Sequence, residues 1–341
     1  RLVINGLTLK PGVDFVPDPA CPSVHGNFRF VRLATHELRQ QEALARQMKK
    51  HPGAVFLADF GAISEKPQLF IHLFELTAAE LEPRHRPSAL LLADDKKLTW
   101  GVAQTQRSMP LIYLHRAASA AGQRGKVVLE VNAVFVPDYE SFNLAYLLPG
   151  FAQPDSFLVL SAHYDHLGGL GDVYFPGAND NASGVALLLD LASHFSAPQN
   201  RLPYSLLFLG FAAEEAGLIG SRHWVQNPPL PLERIKFLIN LDMAGSGDDG
   251  LMVVNGLVHD EAFQRLLLSQ DTKRRLTAIK ARGEACNSDH CLFHRQGVPS
   301  FFIYTLGGLT AYHDLDDRPD VLTWKGYEAY FLLLVNFLKG F

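Results

Sequence analysis

Short apolar runs alternate with polar, helix-compatible stretches along most of the chain. Between Val31 and Ile112, a polar stretch with helical potential at Glu37 to Lys50 precedes two compact runs, Ala54 to Ala58 and Ala89 to Ala93. Runs of that length flanked by turn residues read as strands. The region therefore predicts a small mixed α/β unit, punctuated by Pro67, Pro83 and Pro87. Its histidines His51, His72 and His85 are scattered and read as structural or exposed. The small, polar, glycine-containing segment Ala117 to Lys126 marks a boundary, giving domains at 1–125 and 126–341.

Beyond the boundary the alternation is more regular. Strands are expected at Val127 to Val136, Phe157 to Ala162, Ser205 to Phe211 and Lys236 to Leu241, with helices at Val185 to Phe195 and Gly217 to Val225. Such spacing predicts a doubly wound, mostly parallel sheet covered by helices on both faces. In that architecture the loops beyond the carboxyl ends of the strands converge on one crevice.

Those strand ends carry the chemistry. The strand ending at Ala162 runs into His163-Tyr164-Asp165-His166, the one ending at Phe211 into Ala212-Ala213-Glu214-Glu215, and the one ending at Leu241 into Asp242. The apolar run Val298 to Tyr304 leads through a glycine-containing loop to Tyr312-His313. A fifth segment, Pro176 to Gly184, opens a helix that Asn181 or Ser183 could cap, leaving Asp180 free to face the crevice. Converging carboxylates repel one another unless cations neutralise them, and imidazole with carboxylate suits zinc. A lone Asp after a strand is usually a turn residue and paired glutamates usually start a solvated helix, so the weight lies in their joint occurrence.

Composition narrows the partners. The 341 residues carry 31 basic and 35 acidic side chains, a net charge of −4, which makes nucleic acid an improbable partner. With 48% apolar residues the chain is neither disordered nor, lacking an apolar stretch of about 18 residues, an integral membrane protein. Three cysteines are too few for a disulfide scaffold, although Cys286 and Cys291 are close enough to bridge a tight loop. A structural zinc site of these two with His290 is a weaker reading. The opening at Arg1, with neither Met nor an apolar leader, fits a processed or trimmed chain and leaves export as an expectation.

Together, Ala162-His163-Tyr164-Asp165, Gly177 to Gly184, Glu214 to Leu218 with Gly220-Ser221, Asn240-Leu241-Asp242-Met243 and Tyr312-His313 resemble the double-zinc aminopeptidases. These are the enzymes related to bacterial leucyl aminopeptidases, glutamate carboxypeptidase and the glutaminyl cyclases. The resemblance covers residues 127 to 341 and implies a metallopeptidase acting on peptides with two zinc ions. It implies His163 and Asp242 on one ion, Glu215 and His313 on the other, and Asp180 bridging both. Glu214 would be the general base, Asp165 would stand behind His163, and Tyr312 would donate to the oxyanion. Met243, Phe302 and the loop Cys286 to Leu292 would line the substrate pocket, with Phe301 and Gly307-Gly308 as a further wall. Asp317 matches an acidic position after the last histidine. Residues 1 to about 123 resemble, more weakly, a protease-associated domain. Alternatives are single-zinc glutaminyl cyclisation, a carboxypeptidase for acidic C-termini using Arg282 and Arg295, and a non-catalytic module of the same fold.

Overall fold

The computed structural model describes residues 1–61, 67–119 and 124–341. The chain forms two compact units: Arg1–Tyr139 with Gly169–Tyr174, and Glu140–Gly168 with Phe175–Phe341.

In the first unit, strands β1 (Leu2–Ile4), β2 (Leu7–Leu9), β3 (Phe15–Pro17), β4 (Val24–Arg32), β5 (Val55–Asp59), β6 (Ala89–Asp94), β7 (Leu111–His115) and β8 (Arg124–Val131) form one sheet. Their order is β2-β1-β8-β4-β5-β6-β7-β3. The compact runs seen in the sequence are its central parallel strands β5 and β6. Phe56, Ala58, Leu90 and Leu92 enter one core, under helices α1 (Gln41–Lys50) and α2 (Pro67–Glu80). Val55, Leu57, Leu91 and Ala93 enter another on the opposite face. Burial on both faces is why these strands read as unbroken apolar runs.

Several expectations shift here. The strand foreseen at Val127–Val136 is Arg124–Val131 and pairs with β1 and β4, so it belongs to the first sheet. The compact units therefore divide at Tyr139/Glu140 rather than at 125/126. Of the foreseen linker Ala117–Lys126, residues 120–123 lie outside the described residues. Pro67 opens α2 instead of punctuating a loop, because a first-turn proline lacks only an amide that the helix would leave unpaired. The stretch Glu37 to Lys50 is split at Gln40, whose extended backbone separates a 3-10 turn from α1.

The second unit is built on strands β9 (Leu144–Leu148), β10 (Gln153–His163), β13 (Tyr204–Phe211), β14 (Ile235–Asp242), β15 (Gly250–Val254), β16 (Ile279–Ala281) and β17 (Ser300–Leu306). A separate two-stranded ribbon, β11 (Gly168–Leu170) and β12 (Val173–Phe175), follows β10. The sheet order is β16-β15-β17-β14-β10-β13-β9. It is a mixed sheet: β10 is parallel to β13 and β14, and β14 to β17, while β9 and β15 run antiparallel to their neighbours β13 and β17. Helices α3 (Gly184–Ser196), α5 (Asp260–Leu268) and α7 (Tyr327–Lys339) bury Leu187, Leu191, Phe263, Leu266 and Leu333 against one face. Helices α4 (Ile219–Gln226) and α6 (His290–Arg295) bury Trp224 and Phe293 against the other. Among the described residues no helix is long and apolar enough to cross a membrane.

The chain leaves β10, runs through α3 to β13 on one side, then through α4 to β14 on the other. Neighbouring loops thus diverge at the carboxyl end of β10, the topological switch point where such sheets open a crevice. Strand β17 shows how side chains are divided between core and crevice: Phe301 and Ile303 enter the core, with the Phe301 ring centroid 4.7 Å from that of Phe237. Replacing Phe301 with Ala should cost about 3–5 kcal/mol, read as a lowered denaturant midpoint with an unchanged slope. A loss below about 1 kcal/mol would mean that this position is not core.

Candidate metal centre

His163 ends β10, buried at 1% exposure, with its Nε2 3.3 Å from Oδ1 of Asp180 and 3.5 Å from Oδ2 of Asp242. His313 Nε2 lies 3.1 Å from Oδ2 of Asp180 and 3.1 Å from Oε2 of Glu215. Asp180 therefore turns one oxygen to each imidazole. The structure brings His163, Asp180, Glu215, Asp242 and His313 into one cluster, and Glu214, Met243, Phe302 and Tyr312 line the cavity beside it, about 280 Å³ in volume.

Local hydrogen bonds hold this arrangement. Residues Ala178–Ser183 form an irregular helical turn whose Asp180–Asn181 peptide is cis. Asn181 Oδ1 accepts the N–H groups of Gly184 and Met243, and its amide donates to Leu241 O at 3.0 Å. Asn179 Oδ1 accepts the Gly245 N–H, while Ser183 Oγ accepts that of Ala244 and donates to Asn179 O. Of the two foreseen helix caps, only Asn181 meets the first helical amide; Ser183 ties its loop to the chain after β14 instead. Asp317, fully buried, accepts the N–H groups of Asn179 (2.7 Å) and Asp180 (3.0 Å).

Asp165 is placed differently from a simple backing acceptor for His163. Its carboxylate accepts the N–H groups of Glu214 and Glu215, both at 3.1 Å. The nearest partner of His163 Nδ1 is the Asp165 carbonyl at 3.2 Å, with Oδ1 at 3.7 Å. One residue thus supports both the first imidazole and the glutamate pair. Ala213, Met243 and His313 adopt positive φ (55°, 45° and 52°), a conformation that costs a residue with a Cβ on the order of 1 kcal/mol or more.

The electrostatics call for a cation. Burial pushes the Asp242 carboxyl up, and its Oδ1, shielded from water, has no hydrogen-bond partner. Burial also raises Glu214, to about 8, with Asp289, Asp242 and Glu215 adding repulsion. Although burial alone would lower the His313 pKa, hydrogen bonds to Asp180 and Glu215 lift it to about 10. Against the same penalty, Asp242, Asp165 and Asp180 hold His163 well above the usual imidazole range. Without metal, then, the imidazoles carry protons where the carboxylates require positive charge. An orphaned carboxylate oxygen beside imidazole nitrogens fits a divalent cation, and this donor set suits zinc. His163, Asp180 and Asp242 form one group that could hold an ion, and His166, Asp180 and Glu215 form a second.

The cavity is also lined by Asn287 and Tyr304. Asn287 falls within the foreseen pocket loop, whereas Tyr304 was missed; its signal was the strand alternation that puts it on the same side as Phe302. Phe301 lies in the core, not the wall, and neither Gly307 nor Gly308 lines the cavity. Arg282 and Arg295 are exposed and are not among the lining residues. Cys286 and Cys291 form a disulfide, which removes them as zinc ligands, and His290 stacks on Phe302 with ring centroids 5.1 Å apart.

A mixed sheet between helical layers, with imidazoles and carboxylates at its switch point, is a zinc-peptidase type of architecture. Residues 143–338 match peptidase family M28, and the chain belongs to that family. A probable leucine aminopeptidase of Arthroderma otae is 27% identical over 181 residues, covering 50% of this chain and 48% of its own. An aminopeptidase of Pseudomonas aeruginosa is 31% identical over 164 residues, covering 45% and 29%. The chain spans half or less of the length of these relatives. Among solved structures, a zinc aminopeptidase from Bacillus subtilis superposes with a TM-score of 0.72 at 18% identity, over 99% of this chain and 80% of that one. The aminopeptidase from Aneurinibacillus sp. strain AM-1 gives 0.62 at 22%, over 99% and 79%. These likenesses establish a shared fold.

Two outcomes follow from the site. Asp317→Ala leaves two buried N–H groups beside Asp180 unpaired and should destabilise the protein by about 2–4 kcal/mol, read from thermal or denaturant unfolding; an unchanged midpoint would contradict the role given to Asp317. A zinc ion held by His313 would have to displace its proton, so affinity there should rise with pH, by about one logarithmic unit per pH unit between 7 and 9. Calorimetric titrations in buffers of different ionisation enthalpy measure the protons released; none released would contradict the assigned charge states.

Proposed function

We propose that the protein is a two-zinc aminopeptidase that removes N-terminal residues from peptides. The observation carrying this reading is the Asp180 carboxylate, whose two oxygens face His163 and His313 separately, at 3.3 and 3.1 Å. In this reading His163 and Asp242 hold one ion, Glu215 and His313 the other, and Asp180 serves both. Bound there, the ions would polarise a peptide carbonyl and make a water nucleophilic near neutral pH.

The remaining work falls to side chains. Glu214 accepts a proton at its carboxylate and returns it to the departing amine. Its high metal-free pKa would be drawn down by cations, towards the near-neutral value that suits a general base. Tyr312, stacked on His313 with centroids 4.0 Å apart, would aim its hydroxyl at the developing oxyanion. Met243, Phe302 and Tyr304 offer an apolar wall in a cavity sized for one side chain, which favours apolar N-terminal residues. The exposed Arg282 and Arg295 give little support to a carboxypeptidase for acidic ends, and the complete pair of imidazole–carboxylate sets gives little to the cyclase or non-catalytic readings.

The first unit, a separate α/β body that supplies none of these residues, would act as a protease-associated-like domain. The Cys286–Cys291 disulfide supports an exported protein, since such bonds persist in oxidising compartments.

Glu214→Gln should retain two zinc ions by elemental analysis yet lose about 100-fold to 10,000-fold in kcat on leucine 4-nitroanilide. The N-acetylated substrate should resist the wild-type enzyme. Equal turnover of the acetylated substrate would overturn the N-terminal specificity, and undiminished turnover by Glu214→Gln would overturn the role of Glu214.

A further inference from the structure

We infer that His166 is a positioning residue for the Glu215–His313 half of the centre, fixing Glu215 as a ligand through a single oxygen. The inference rests on the two-zinc reading and deepens it.

His166 lies three residues beyond His163, in the loop leaving β10, so this one loop reaches both halves of the cluster. Its Nδ1 is 2.9 Å from Oε1 of Glu215, while the other oxygen, Oε2, faces His313. A carboxylate brings no hydrogen to this contact, so the imidazole donates. The other ring nitrogen points the same way. Nε2 is shielded from water and has no hydrogen-bond partner; a proton there would be an unsatisfied buried donor, which places it on Nδ1 instead.

The ring has little freedom to leave. Its side chain is 11% exposed, and a Cβ built on Gly177 would approach its Cγ and Cδ2 to 2.4 and 2.5 Å. Gly177, at φ +61°, thus leaves free the space that the imidazole occupies. Locked there, His166 occupies Oε1 and holds Oε2 towards the position shared with His313 and Asp180.

The other half of the centre has no such clamp. Asp242 Oδ2 faces His163 Nε2 at 3.5 Å and accepts a long hydrogen bond from Ser288 Oγ at 3.4 Å, and Oδ1 has no hydrogen-bond partner. Asp242 therefore keeps both oxygens available for a cation, whereas Glu215 offers one. The two halves are inequivalent, and loss of His166 should weaken only one of them.

The test is a zinc titration in competition with a chromophoric chelator, on the wild-type protein, His166→Ala and His166→Gln. Thermal midpoints of the metal-free proteins are measured in parallel. Glutamine retains an N–H donor but is a poor zinc ligand. Removing a donor behind a metal ligand typically costs about 10–100-fold in affinity, so His166→Ala should lose that factor at one of two sites. The second site should stay unchanged, and His166→Gln should stay close to wild type. Wild-type affinities in His166→Ala would overturn the inference. So would equal damage from Gln and Ala, which would make His166 itself a ligand, or weakening of both sites with a lowered midpoint, which would make it a general structural residue. A wild-type protein binding fewer than two zinc ions would remove the two-zinc reading, and this inference with it.

Discussion

Buried negative charge at the carboxyl end of β10 is the constraint to which the rest of the second unit answers. Asp180, Asp242, Glu215 and Glu214 crowd around the imidazoles of His163, His166 and His313, with the fully buried Asp289 behind them, its own carboxyl pushed up to about 7 by burial. Carboxylates taken out of water and set against one another are costly unless protons or cations compensate. Protonated imidazoles supply part of that compensation in the metal-free protein, and a divalent cation supplies it better. Their convergence is intelligible only around bound positive charge.

Holding such a cluster requires a rigid frame, and the loops supply it through polar side chains. Asn179, Asn181 and Ser183 join the Asp180 turn to the chain after β14, and Asp317 grips the same turn from the other side. Under the sheet, Ser161 donates to Asn240, and Asn240 to Ser288, a buried chain that ends near Asp242. Asn181 Oδ1 also accepts the N–H of Met243, one of three residues, with Ala213 and His313, that adopt positive φ next to or within the cluster. Backbone strain at a functional site persists when its surroundings over-determine it.

The paired sheet faces explain why one strand can serve both stability and chemistry. Alternation along β17 gives Phe301 and Ile303 to the core and Phe302 and Tyr304 to the cavity wall. Disturbing the wall therefore need not disturb the core. The same separation holds along the chain: the first unit's two cores are filled from its own strands and helices, and the cluster draws only on the second.

Much of this was legible before any coordinates. The apolar runs at Ala54–Ala58 and Ala89–Ala93, and Phe157–Ala162 with its single polar Ser161, reveal strands buried on both faces, and residues following such strands must meet at one rim in a doubly wound sheet. His163, Asp180, Glu214, Glu215, Asp242 and His313 could therefore be named together. Local patterning could not assign β8 to its sheet, because which strand it pairs with is a long-range choice, and it could not show that Pro67 opens a helix. Nor could it foresee that Asp165 serves the glutamate amides, that Ser183 reaches Ala244, or that Gly177 makes room for His166. Sequence by itself determined which residues stand at the strand ends, since that follows from chain order and periodicity. Only the tertiary structure decided which oxygen faces which nitrogen, because those contacts join segments dozens of residues apart and are fixed by packing rather than by spacing.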